Sequence, residues 1–123
     1  MIHFKSYEFD SPDLKGSGQF MDETFLSMID EARAVANIPF VITSGYRTEK
    51  HNIKIYKKLK KPVNKKTSHL KGLAVDIKAK DSRTRFLILN ALISVGFTRI
   101  GIAKTFIHVD LDKDKSQQVI WMY

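Results

Sequence analysis

Along the chain, apolar residues fall at helical and strand periods in separate blocks. Phe25, Met28, Ile29, Ala32, Val35 and Ala36 recur at three- and four-residue intervals with charges between them, which predicts a helix over 22–36 stopped by Asn37 and Pro39. The run Phe40–Thr43 reads as a short buried strand that breaks at Ser44–Gly45. A second helix is expected over 48–60, with Thr48 as N-cap, Ile53, Tyr56 and Leu59 on one side and Pro62 as its stop, followed by a loop to His69. Leu73–Ile77 reads as a strand, and Ser82 opens a third helix that Gly96 closes. Phe97–Ile102, Thr105–Leu111 and Gln118–Trp121 are β-rich segments separated by short turns, the pattern of an antiparallel meander. Residues 5–20 lack periodicity and turn near Pro12 and Gly16–Gly18, an irregular arm expected to lie over the domain. The sum is an α+β fold, a mostly antiparallel sheet with helices packed on one face.

Length and composition narrow the classes. The 123 residues fit one domain, 1–123, and a composition of 43% hydrophobic and 28% charged residues is that of an ordinary globular protein. With no cysteine, a disulfide scaffold, thiol catalysis and a Cys-ligated metal are excluded, so any metal must be held by His and carboxylate. The N-terminal residues lack the basic-then-apolar pattern of a secretory leader, and no apolar run approaches the roughly 18–20 residues that span a bilayer. The expectation is a monomer that is soluble and cytoplasmic as synthesised. The net charge of +8 suggests an anionic partner, and seven lysines, Lys54, Lys57, Lys58, Lys60, Lys61, Lys65 and Lys66, stand within thirteen residues. Only Tyr56 interleaves them, and no nucleic-acid-binding signature is present, so nucleic acid is a poor fit.

Of four histidines, His69 is the informative one, because Asp76 follows it by seven residues across Gly72 and Ala74. Ligands of one zinc ion lie about 2.0–2.2 Å from the metal and hence only a few Å apart. Seven residues of helix would separate the two by roughly 10 Å, and a straight strand would point them to opposite faces. The backbone must therefore turn between them, and Gly72 stands where it can. In Phe106–Asp110, period two puts Phe106, His108 and Asp110 on one face and Ile107 and Val109 on the other. Asp110 can then orient the His108 imidazole or accept a proton beside a metal.

Thr67, the run His69-x-x-Gly72-x-Ala74-x-Asp76, the preceding Ser44-Gly45-Tyr46-Arg47 with His51-Asn52, and the following His108 together resemble the M15 zinc peptidases. These are the D-Ala-D-Ala carboxypeptidases and peptidoglycan endopeptidases, including phage endolysins, and the similarity runs from about Phe9 to Trp121. The resemblance implies the fold shared with the hedgehog signalling domain and one zinc ion bound by His69, Asp76 and His108, with a fourth position open to water. It also implies that Arg47 binds a substrate carboxylate, as suits its guanidinium fork, and that Thr67, where many relatives have Ser, lines the site. Several relatives carry Glu or Asp three residues before the last zinc histidine, and here that position is Thr105. The catalytic carboxylate is then Asp110, or one from the N-terminal arm or a loop, or it is lost.

The reading that follows is zinc-dependent hydrolysis of an amide in peptidoglycan stem peptides, in wall lysis or turnover, by a protein acting on the wall once released. The lysine run 54–66 offers a surface for anionic wall polymers. The rival reading, motivated by Thr105, is a catalytically silent, zinc-stabilised module that binds wall peptides or a protein partner.

Overall fold

The computed structural model describes residues 1–123. It contains three α-helices, α1 (Glu23–Ala36), α2 (Glu49–Lys58) and α3 (Ser82–Ser94), and five strands, β1 (Ile42–Ser44), β2 (Ala74–Lys78), β3 (Arg99–Ile102), β4 (Phe106–Asp110) and β5 (Val119–Met122). Local chemistry sets most boundaries. The Asp22 carboxylate accepts the Phe25 N–H and Asn37 adopts a left-handed conformation, which together bracket α1. Thr48 caps α2 as expected. The cap of α3 is Asp81 rather than Ser82, since its carboxylate accepts the Thr84 N–H while Ser82 takes the first helical position.

The fold is α+β, with a five-stranded sheet in the order β1-β2-β4-β3-β5. β1–β2, β2–β4 and β3–β4 pair antiparallel, whereas β5 pairs parallel to β3, so the expected meander does not continue past β4. The reason is steric. β4 already has a strand on each side, so a β4–β5 hairpin has no free edge to occupy. The chain instead crosses the end of β3 and lays β5 on its far edge, and because the connection stays at the end where β3 begins, the two run the same way.

Alternation divides the sheet into two faces. Val75, Ile77, Ile100, Ile107 and Val109 point to one side and pack with Phe25, Ile29 and Ala32 of α1 and Ile88, Ala91 and Leu92 of α3 in one core cluster. The N-terminal arm forms two short 3-10 turns, Ser6–Phe9 and Ser17–Phe20, and sends Phe4 and Phe9 into that core, so it is part of the domain. Helix α2 stands apart from the α1–α3 layer. It buries only Asn52, and its Ile55 and Tyr56, with Leu59 just past its end, wall a cavity over the other face of the sheet.

Candidate metal centre

The opposite face of the sheet carries the polar residues. Asp76 of β2 and His108 of β4 are direct cross-strand partners, His108 is partnered on its other side by Gly101 of β3, and Gly101 by Trp121 of β5. Four strands thus present the row Asp76, His108, Gly101, Trp121. Gly101 is required there, since a Cβ would sit 2.5 Å from the Trp121 indole nitrogen. The gap lets Trp121 lean across to the His108 ring, with centroids 5.5 Å apart.

His69 arrives from outside the sheet. It lies in a 3-10 turn, Ser68–Lys71, that ends at Gly72 in a left-handed conformation (φ 69°). A side chain on Gly72 would also strike the Phe20 carbonyl, its Cβ only 2.3 Å from the oxygen, so the turn required by the spacing of His69 and Asp76 can be made only by glycine. The turn brings His69 Nε2 to 3.3 Å from Asp76 Oδ1, while His108 Nδ1 lies 2.9 Å from the same oxygen. One ligand atom from each of His69, Asp76 and His108 lies within 4.8 Å of the others, and all three residues are buried.

The outer nitrogen of each ring has its own hydrogen-bond acceptor, so the inner nitrogen of each faces Asp76 and is the one that would offer a lone pair to a metal. His69 Nδ1 donates to the Gly45 carbonyl at 2.8 Å, leaving Nε2 facing Asp76. His108 Nε2 donates to Asp110 Oδ2 at 2.7 Å, leaving Nδ1 facing Asp76. Two imidazoles so oriented and a buried carboxylate form a donor set that suits zinc, with the outer partners holding each ring's tautomer.

The Ser44-Gly45-Tyr46-Arg47 motif builds the neighbouring wall. Ser44 Oγ accepts from Arg47 Nε at 3.0 Å and Asn52 Oδ1 accepts from Arg47 Nη1 at 3.2 Å. Arg47 Nη2 lies 3.7 Å from Asp76 Oδ2. Asn52 in turn donates to the Asn64 carbonyl, tying α2 to the loop that leads into the site. Thr67 is buried and lines the same cavity, of about 560 Å³. His51 lies outside it, in an adjoining cleft of about 340 Å³ bordered by Glu8 and Asp10 of the arm, and His3 is exposed and lines neither.

Asp110 is almost wholly buried, and both its oxygens have partners. Oδ1 accepts from Arg99 Nε at 2.7 Å and from the Asp112 N–H at 3.0 Å, and Oδ2 accepts from His108. Arg99 also donates to the Ser116 carbonyl at 2.6 Å and stacks 4.9 Å from the Trp121 ring. Neither Arg99 nor Trp121 stands out in sequence. The only available sign is period two, which places Arg99 on the face of Gly101 and Trp121 on the face opposite Ile120. Thr105 is exposed and does not line the cavity, whose carboxylates are Asp76 and Asp110.

Electrostatics follow the geometry. Burial pushes the Asp76 carboxyl up, but the His69 and His108 rings outweigh it and hold it well below the usual range. Burial lowers His69, the more enclosed ring, despite Asp76. In His108 burial is outweighed by the Asp110 and Asp76 carboxylates, which raise it. Asp110 is lowered, because bonds from His108, the Asp112 N–H and Arg99 overcome its burial.

Among curated proteins none matches the chain. Among solved structures it is similar in fold to the Serratia marcescens L-Ala D-Glu endopeptidase ChiX, with a TM-score of 0.56 and 17% identity over 76% of this chain and 82% of that one. The family model described as Peptidase M15 matches residues 3–110, and with a buried His-Asp-His cluster at the centre of the matched fold, the chain belongs to the M15 peptidases.

Proposed function

We propose that the protein is a zinc-dependent peptidase that hydrolyses an amide bond in peptidoglycan stem peptides. The observation that carries this reading is the convergence of His69 Nε2, Asp76 and His108 Nδ1, with both outer ring nitrogens already bonded. His69, Asp76 and His108 would hold one zinc ion. When bound, that ion supplies Lewis acidity toward the scissile carbonyl and acidifies a water for attack.

The protein's own residues orient the rest. Arg47 is locked by Ser44 and Asn52 with one nitrogen toward Asp76, a position from which it holds a substrate carboxylate in register. Thr67 lines the floor beside His69. Of the two roles open to Asp110 in the sequence, its bonds favour orientation. With one oxygen on His108 and the other on Arg99 and a backbone N–H, it keeps the imidazole turned with its Nδ1 toward Asp76. The seven lysines of 54–66 are all exposed, none is ion-paired, and Lys61 lines the cavity, so we read the run as steering anionic wall polymer toward the site.

Digestion of purified peptidoglycan with zinc-loaded and chelated protein, followed by mass analysis of the soluble products, tests the reading. Zinc-dependent release of defined stem-peptide fragments is expected, and their masses name the bond. Stoichiometric zinc with no release at any loading would instead support a silent binding module.

A further inference from the structure

We propose that Lys115 and Arg99 form a second carboxylate subsite in the cavity, so that the substrate is a peptide bearing two free carboxylates, one for Arg47 and one for this pair. The inference rests on the peptidase reading above and adds its substrate class.

The cavity is lined by four cationic side chains, Arg47, Lys61, Arg99 and Lys115, and by two carboxylates that are both engaged with histidine and arginine. Lys61 is a free surface lysine, but Lys115 is held in place. Its Nζ donates to Ser68 Oγ at 3.0 Å and lies 3.6 Å from Asp112 Oδ2. The Ser68 hydroxyl donates onward to Asp112 Oδ2 at 2.7 Å, and Lys71 closes on Asp112 from the other side at 3.0 Å. A relay of four side chains therefore pins one ammonium beside Ser68, the residue directly before His69. An ammonium has three hydrogens to donate. Ser68 takes one, Asp112 at 3.6 Å is an ion pair rather than a hydrogen bond, and the side chain keeps 30% exposure at the cavity wall, which leaves hydrogens for a ligand.

Arg99 is the neighbouring cation. Its Nε and Nη1 are taken by Asp110 and the Ser116 carbonyl, and its Nη2 makes no hydrogen bond to protein. No buried side-chain nitrogen in the molecule lacks a partner, so this Nη2 reaches accessible space. Because Ser116 follows Lys115, the Arg99 bond ties both cationic groups to one turn, which is itself closed by Gln117 donating to the Asp112 and Lys115 carbonyls. Two fixed donors of positive charge with hydrogens unassigned suit a carboxylate, and an amide in its place would leave them facing a group with no charge.

The test uses the stem pentapeptide L-Ala-γ-D-Glu-L-Lys-D-Ala-D-Ala, which has two free carboxylates, and its two singly amidated forms. They are assayed with zinc-loaded wild type, Lys115→Met and Lys115→Arg, Arg99 being left intact because it also holds Asp110. For wild type, amidation at either position is expected to raise KM about tenfold or more, the scale of a charge-assisted hydrogen bond. Lys115→Met should raise KM on the free peptide by a similar factor and lose its response to one amidation only, while Lys115→Arg retains both responses. A Lys115→Met protein that responds to both amidations as wild type does, or a wild type indifferent to one of them, overturns the subsite. If no peptide is cleaved, the peptidase reading fails separately, and the same comparison is read from calorimetric binding of the three peptides.

Discussion

The two faces of the sheet use the same strands and opposite chemistry. On one, Val75, Ile77, Ile107 and Val109 are fully buried against α1 and α3, and each contributes through area removed from water, about 1.5–3 kcal/mol per large side chain. On the other, the residues between them, Asp76, His108 and Asp110, are also buried, but each is held by named bonds to other polar groups. The first face tolerates change of shape at a graded loss of stability. The second is a closed set of charges in which removing one leaves another unpaired. A fold can thus keep its stability in one layer and its chemistry in the next, with a single residue step separating them.

The largest expected break falls on the polar face. His69→Ala should abolish stoichiometric zinc binding and lower release of soluble stem peptide by a thousandfold or more, on the order of 4 kcal/mol, as read by metal titration beside a digestion assay. On the apolar face, Ile107→Ala should lower unfolding free energy by about 3 kcal/mol through lost burial and a cavity, while the fraction still folded keeps its activity. Denaturant melts and active-site titration separate the two effects.

Asp110→Asn sharpens the comparison within the polar face. As the group that orients His108, its replacement should weaken zinc affinity by roughly 10–100-fold. Unchanged affinity with lost turnover would return Asp110 to the role of proton acceptor.

Asp112 supplies a pH signature at the edge of that face. Burial raises its pKa, but Ser68, Lys71 and the Asp114 N–H bring it down to about 2. A carboxylate depressed on folding stabilises at every pH above its unfolded value near 4, and that contribution, about 2 kcal/mol, fades as pH falls through about 2. Acid unfolding of Asp112→Asn should lack this component. The smallest effect concerns the lysine run. Exchanging Lys57 and Lys58 for Glu should slow digestion of intact wall a few-fold at low salt and leave cleavage of a short neutral peptide unchanged, the difference vanishing in high salt.

The chain alone determined the local parts of this protein. The cap at Thr48, the stop at Asn37, the alternation through Phe106–Asp110 and the turn demanded between His69 and Asp76 all depend on neighbours within a few residues, where period and backbone preference act. The family motif likewise names positions that the fold brings together, from Arg47 to His108. What only the tertiary structure decided are relations between distant segments. The parallel placement of β5 follows from β4 having no free edge, and it puts Trp121, beyond the family match, across Gly101 onto His108. The partners of Asp110 are a second such relation, because Arg99 reaches it from another strand. The fixing of Lys115 through Ser68 and Asp112 is a third, joining residues 47 positions apart. Periodicity reports which face a side chain takes, but a hydrogen bond between segments depends on where the whole chain closes, and no local pattern encodes that distance.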